Sequence, residues 1–222
     1  RSRNVEFVAK KVKPLTQLYA FFDGQNVTKY CVPKLLEITM TSGTFQVGER
    51  VLGLKEGTHI KFRVAQSNHK EGPYNVPTKT FRDNPYTNQL LSSSYSSTSN
   101  LLNVDTFSLS NEAQGSYNGR VVDGLVLRGE TSGALATIDN VRLISDVSAF
   151  CGGSFFIPNP NNINHPRFET GTKVFTLTND PENDVNKAST LTDETFTAAG
   201  TLETVQEIIL SIRNARVEQR QE

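Results

Sequence analysis

A chain of 222 residues is long enough for one large β domain or two small ones. Its apolar fraction of 36% leaves out the 15 Gly; adding them narrows but does not close the gap to the about 45–50%, Gly included, of an ordinary compact domain, which implies modest cores, long polar loops or surface covered only by partners. The 23 basic and 23 acidic residues cancel, leaving no positive excess to displace counterions from phosphate, so nucleic acid is not expected as a partner. No apolar run approaches the ~20 residues of a membrane helix.

The first block, residues 1–65, reads as a β module. Val5, Phe7 and Ala9 alternate with Asn4, Glu6 and Val8, the pattern of a strand with one buried face. Lys10–Pro14 reads as a connection and Leu18–Phe22 as a buried strand. Asp23-Gly24 reads as a turn. Val27–Val32 is a short β-like run closed by Pro33, and Leu35–Met40 suits a strand or a helical turn. Gly43, Gly48, Gly53 and Gly57 mark turns between short strands, with Phe45, Val47, Val51, Ile60, Phe62 and Val64 as the apolar positions between them.

Residues 66–116 differ. Asn, Ser, Thr and Pro dominate, with a serine-rich patch from Ser92 to Ser99, a composition that buries little. Yet Phe81, Tyr86, Leu90, Leu91 and Tyr95 are spread through it. The segment reads as a long irregular arm lying on a surface, with Phe81, Tyr86 and Tyr95 as its anchors to a neighbouring subunit.

Residues 117–178 read as a second β module. Asp123-Gly124 between Gly119–Val122 and Leu125–Leu127 is a hairpin signal. Gly129–Ala134 reads as another turn. Ala136 to Ile144, Ser154–Ile157 and Val174–Leu177 supply further strands. Gly48-Glu49 and Gly129-Glu130 each follow a β-like run, a loose internal echo. In the tail, 179–222, Thr195–Thr197 suits a strand. Leu202, Val205, Ile208, Ile209 and Ile212 fit helical spacing, while the content of Thr, Val and Ile favours an extended strand leading to a further domain. The fold class is thus mainly β, with small sandwich or barrel-like modules joined by an arm.

Motifs for chemistry do not emerge. His59, His69 and His165 share no metal-ligand spacing. Asp180, Glu182 and Asp184 alternate, but the calcium-loop Gly at position six and Glu at position twelve are missing, so a solvated acidic loop is expected. Cys31 and Cys151 are too few for a disulfide scaffold and read as two separate reduced thiols, Cys31 buried and Cys151, before Gly152-Gly153, in a setting that permits exposure. Gly129-Glu-Thr-Ser-Gly133 lacks the Lys-Ser/Thr ending of a phosphate loop. The sequence therefore predicts no catalytic residues, no cofactor and no enzyme.

Several phrases resemble segments of large virion structural proteins of contractile-tailed cyanophages and related marine phages. They are Arg1-Ser-Arg-Asn-Val-Glu-Phe-Val-Ala; Tyr19-Ala-Phe-Phe-Asp-Gly24 with Tyr30-Cys-Val-Pro-Lys34; Ser42-Gly-Thr-Phe45; Gly129-Glu-Thr-Ser-Gly-Ala134; Gly153-Ser-Phe-Phe-Ile-Pro158; Pro166-Arg-Phe-Glu-Thr-Gly171; and Thr197-Ala-Ala-Gly-Thr-Leu202 with Ser211-Ile-Arg-Asn214. None is catalytic, and between Gln66 and Ser116 no phrase of this kind occurs. The resemblance implies a structural part of a tail or baseplate, assembled in the host cytoplasm into the virion, whose partners are other virion proteins and copies of itself. It also implies that this chain is an internal piece of a longer protein. The alternatives are a tail-fibre module binding host-surface glycan and, further off, a tail-associated hydrolase.

Overall fold

The computed structural model describes residues 2–67, 89–90, 92–111, 116–147, 149–161, 163, 165–168 and 171–198. In chain order the first elements are β1 (Arg3–Lys10), β2 (Gln17–Phe22), β3 (Gln25–Asn26), a 3-10 turn at Thr28–Tyr30, β4 (Cys31–Pro33), β5 (Leu35–Ser42), β6 (Arg50–Lys55) and β7 (Thr58–Arg63). There follow β8 (Leu101–Asn103), α1 (Thr106–Ser110), β9 (Asn118–Gly119), β10 (Val126–Gly129), β11 (Leu135–Asn140), β12 (Leu143–Ile144), β13 (Phe150–Ile157), β14 (Gly171–Thr178) and β15 (Leu191–Ala198). The protein is mainly β.

Two sheets form a sandwich. One is three-stranded, β1-β13-β4; the other runs β12-β2-β14-β15, with β3 on the side of β2. Alternation aims Val5, Phe7, Ala9, Cys31 and Phe155 from the first sheet at Leu18, Ala20, Phe22, Phe175, Leu177 and Phe196 from the second, giving one shared core. Its centre is aromatic. Phe7 and Phe155 lie 5.2 and 5.6 Å from Phe175, and Phe22 lies 5.4 Å from Phe155, separations at which rings gain more than their buried area alone.

The second unit is a seven-stranded antiparallel sheet in the order β8-β5-β11-β10-β6-β7-β9. It curls until the end of β7 reaches β8. Val64 bridges Val104, the Ala65 amide donates to the Asn103 carbonyl (2.8 Å), and the Asp105 amide donates to that of Arg63 (2.9 Å). The concave side holds Leu36, Ile38, Val51, Ile60, Phe62, Leu102, Leu125, Leu127, Ala136 and Ile138. Leu109 of α1 joins them.

The boundaries expected from sequence do not separate these units. From the block 1–65, β5 pairs with β11, β6 with β10 and β7 with β9 of the block 117–178, and β1 pairs with β13 along its whole length, Arg3 opposite Ile157 to Lys10 opposite Phe150. The two blocks interleave because antiparallel partners are chosen by facing apolar rows, and such rows carry no record of chain distance. Nor is 66–116 wholly an irregular arm: β8 pairs with β5, and α1 packs on β1, β7 and β13. The tail, 179–222, supplies β15 to the sandwich by pairing with β14, and 202–213 lies outside the described residues.

β1 departs from the one-faced strand in an informative way. Both its faces are buried from Arg3 to Ala9. The Asn4 side chain exchanges two 2.9 Å hydrogen bonds with the backbone of Gly119, and Glu6 lies under α1. The polar residues therefore look inward, towards the second unit. Gly53 lies in the middle of β6 rather than in a turn, and glycine is required there because a Cβ would stand 2.2 Å from Leu125 Cδ2. Asp123-Gly124 turns the chain as expected but joins no hairpin. Its following strand, β10, pairs with β6 and β11, and β9 pairs with β7. Gly129–Ala134 is a true hairpin turn, closed by the Gly129 amide on the Ala134 carbonyl at 2.9 Å.

Candidate functional site

Antiparallel register sends alternate side chains of the curled sheet to its convex side, where they form two cross-strand rows. In one row His59, Leu54, Val126, Thr137 and Thr39 stand opposite one another from β7 through β6, β10 and β11 to β5. In the other, Lys61, Leu52, Arg128 and Leu135 do the same. Leu54 is 70% exposed, Val126 49% and Leu52 36%. Isolated exposed apolar residues are ordinary, but adjoining ones on the middle strands of a sheet form a surface suited to contact.

The two Gly-Glu phrases come together at one rim of this sheet. Glu49 is buried, and its carboxylate accepts from the amides of Gln46 (2.5 Å), Thr131 (3.1 Å) and Ser132 (3.1 Å). It thereby ties the loop before β6 to the β10–β11 turn. The approach requires Gly129, where a Cβ would stand 2.4 Å from Glu49 Oε1. Beside it Arg50 pairs with Glu130, and the Glu130 amide donates to the Arg50 carbonyl at 2.9 Å. The phrases are thus contacting halves of one joint.

A buried charge cluster lies between sandwich and curled sheet. Glu6 of β1, Lys34 between β4 and β5, and Asp105 at the start of α1 are 2%, 3% and 2% exposed. Lys34 Nζ donates to the Val104 carbonyl at 2.8 Å, and its backbone accepts from the Val104 amide at 2.7 Å. Asp105 caps α1, accepting from the Ser108 amide at 3.3 Å. Burial raises the Glu6 carboxyl to about 7, an effect opposed by the Thr106 hydroxyl and the Lys34 ammonium and reinforced by Asp105. Burial lowers Lys34 to about 8, with Asp105 and Glu6 acting the other way. Sequence reading placed Glu6 on a polar face and gave Lys34 and Asp105 no role. The only local signal was Asp105 preceding Thr-Phe-Ser-Leu, an N-cap spacing.

Of the three expected anchors, Phe81 and Tyr86 lie outside the described residues. Tyr95 docks within its own chain. Its ring packs against the core of the curled sheet, and its hydroxyl donates to the Ala65 carbonyl (2.7 Å) and accepts from the Asn103 amide (3.2 Å). Burial pushes that phenol up from its ordinary value. Tyr95→Phe removes both bonds and is expected to cost about 1–2 kcal/mol, measurable as a lower urea midpoint at unchanged slope. Beside Tyr95 an open hollow of about 190 Å³ is lined by hydroxyl and amide groups, including Ser67, Ser92, Ser94, Thr98 and Asn100.

The other sequence candidates stay apart. His59 Nε2 meets Asn118 Oδ1 at 3.0 Å, His165 Nδ1 lies 3.3 Å from the Asn159 carbonyl, and His69 lies outside the described residues. Asp180 turns its carboxylate onto the amides of Glu182 (3.2 Å) and Asp184 (2.7 Å). Among the described residues no group of three or more His, Cys, Asp or Glu is arranged to hold a metal ion. Cys31 and Cys151 are free thiols, and both are buried, so the glycines after Cys151 do not expose it. Burial raises Cys151 to about 12 and Cys31 well above its ordinary value, which leaves both as poor nucleophiles.

The fold and these contacts define a mainly β protein in which a sandwich is joined to a curled sheet. No protein-family model matches the sequence, no curated protein matches it, and no solved structure matches the chain. Among the described residues no helix is long and apolar enough to cross a membrane.

Proposed function

We propose that this chain is a structural component of a tailed-phage virion, part of the tail or baseplate, working through contacts between subunits rather than by turnover. The observation that carries the reading is the convex row of Leu54 opposite Val126, with Leu52 one register step away. An assembly protein holds apolar area in reserve for its neighbours, and each such side chain contributes, in proportion to the area still exposed, a fraction of the about 1.5–3 kcal/mol that full burial gives. The balance of charge adds little repulsion between copies. The resemblance of the phrases around Tyr19–Gly24 and Gly153–Pro158 to cyanophage virion proteins supplies the setting. The partners in this reading are other virion proteins and further copies of the chain.

The test is a paired substitution, Leu54→Lys with Val126→Lys, carried in the phage. Both positions are exposed, so the fold is expected to survive, as checked by an unchanged circular dichroism spectrum and melting curve. Incorporation into particles is expected to fall at least about tenfold, since two covered apolar contacts are lost and two charges are buried in their place. Incorporation at the normal level, or a particle map with this face open to solvent, would sink the proposal.

The hydroxyl-lined hollow beside Tyr95 favours a second reading, in which the chain is a host-recognition module for surface glycan. Binding of the isolated chain on a glycan array, weakened by changing Ser94 and Asn100, would favour that reading over the first.

A further inference from the structure

The cluster of Glu6, Lys34 and Asp105 sits where three elements from distant parts of the chain meet. Glu6 belongs to β1 of the sandwich. Lys34 links β4 of the sandwich to β5 of the curled sheet, and its ammonium is bound to the Val104 carbonyl. Asp105 caps α1 and holds its own amide on the Arg63 carbonyl at the end of β7. With all three ionised, two buried carboxylates face one ammonium, an imbalance of one negative charge where water does not screen it. A single added proton removes that imbalance. We propose that Glu6, Lys34 and Asp105 form a proton-operated latch holding β1 and α1 to the curled sheet, tight when Glu6 carries a proton and loose when it is ionised.

Among the described residues the surroundings supply no other charge to replace that proton. On β13 the partner of Glu6 is Ser154, whose hydroxyl meets Ser110 of α1 at 3.0 Å. α1 itself contributes only Thr106, Phe107, Ser108, Leu109 and Ser110. Arg3 belongs to the opposite face of β1. On β7 the Arg63 guanidinium lies over the Tyr117 ring at 5.3 Å, and His59 faces Asn118. Asn4, the next polar residue on the Glu6 face, is taken up by Gly119. Among the described residues, Lys34 and Asp105 are thus the charged groups that act on Glu6.

The sign follows from the direction in which burial moves each group. Glu6 ionises at 4.5 ordinarily and at about 7 in the fold, so its contribution is complete below 4.5 and lost as pH rises through 7. Lys34 is lowered from 10.5 to about 8, so its contribution is complete above 10.5 and lost as pH falls through 8. The latch is therefore loosest between about 7 and 8 and tightens on mild acidification.

Hydrogen exchange of the full chain at pH 5.5 and 7.5, corrected for the intrinsic pH dependence of exchange, tests this locally. Amides of Arg3–Lys10 and Thr106–Ser110 are expected to open roughly tenfold more often at pH 7.5, while those of β14 and β15 change little. Glu6→Gln is expected to abolish the difference. An equal change in every sheet, or no change in β1 and α1, overturns the proposal. Should the variant fold poorly, a carbon-13 carboxyl titration of the unaltered protein decides: a Glu6 midpoint near 7 supports the latch, and one below 5 overturns it.

Discussion

Glu49→Ala is expected to unfold the chain at a clearly lower denaturant concentration, with a loss of about 2–4 kcal/mol. The buried carboxylate gathers three backbone amides, those of Gln46, Thr131 and Ser132, and hydrogen bonds to a charged acceptor are worth about 1.5–3 kcal/mol each. The sum is not reached, because Thr131 is exposed and Ser132 half-buried, so water takes over part of the bonding at the turn. Glu49→Gln separates the contributions. Its single carbonyl oxygen can still accept from Thr131 and Ser132, while its amide nitrogen cannot accept from Gln46, so about half the loss is expected. Equilibrium urea unfolding of the three proteins measures both. A Glu49→Ala protein as stable as the parent would mean that the joint between the two Gly-Glu phrases does not hold the sheet together.

Glu6→Gln has the opposite sign and depends on pH. Glutamine has nearly the shape of a protonated glutamate but no ionisation to penalise. Carrying a carboxyl from 4.5 to about 7 corresponds to about 3 kcal/mol, at about 1.4 kcal/mol per pH unit. The variant is expected to match the parent near pH 4 and to exceed it progressively between pH 4.5 and 7. The advantage then stays near 3 kcal/mol to pH 8. Stability curves from urea titrations at several pH values measure it. A constant difference across that range would show that Glu6 ionises at its ordinary value in the folded protein.

These two sites lie at different joints. Glu49 ties the loop before β6 to the β10–β11 turn at one rim of the curled sheet, and Glu6 lies where that sheet meets the sandwich. The convex row of Leu52, Leu54 and Val126 takes part in neither joint, so charged substitutions there and at the joints are expected to separate assembly from folding. Substitutions in the row leave the melting curve unchanged, and substitutions at the joints move it.

Much of the local structure was legible in the sequence. Alternation of Val5, Phe7 and Ala9, the run Leu18–Phe22, the turn Asp23-Gly24 and the hairpin turn Gly129–Ala134 follow from side-chain size and backbone freedom within a few residues, which is information that the chain carries locally. The pairing of strands was not legible. Arg3 lies opposite Ile157 and Leu127 opposite Gly53, and many other apolar rows of similar length could have paired equally well. The choice belongs to the packing of both cores at once. The same reason hid the charge cluster. Glu6, Lys34 and Asp105 are ordinary polar residues in three unrelated stretches, and burial alone makes them partners. Apolar alternation and glycine-marked turns determined by themselves that the protein is β-rich; the tertiary structure decided which strands meet, because contact energies are gained between surfaces that only the folded chain brings together.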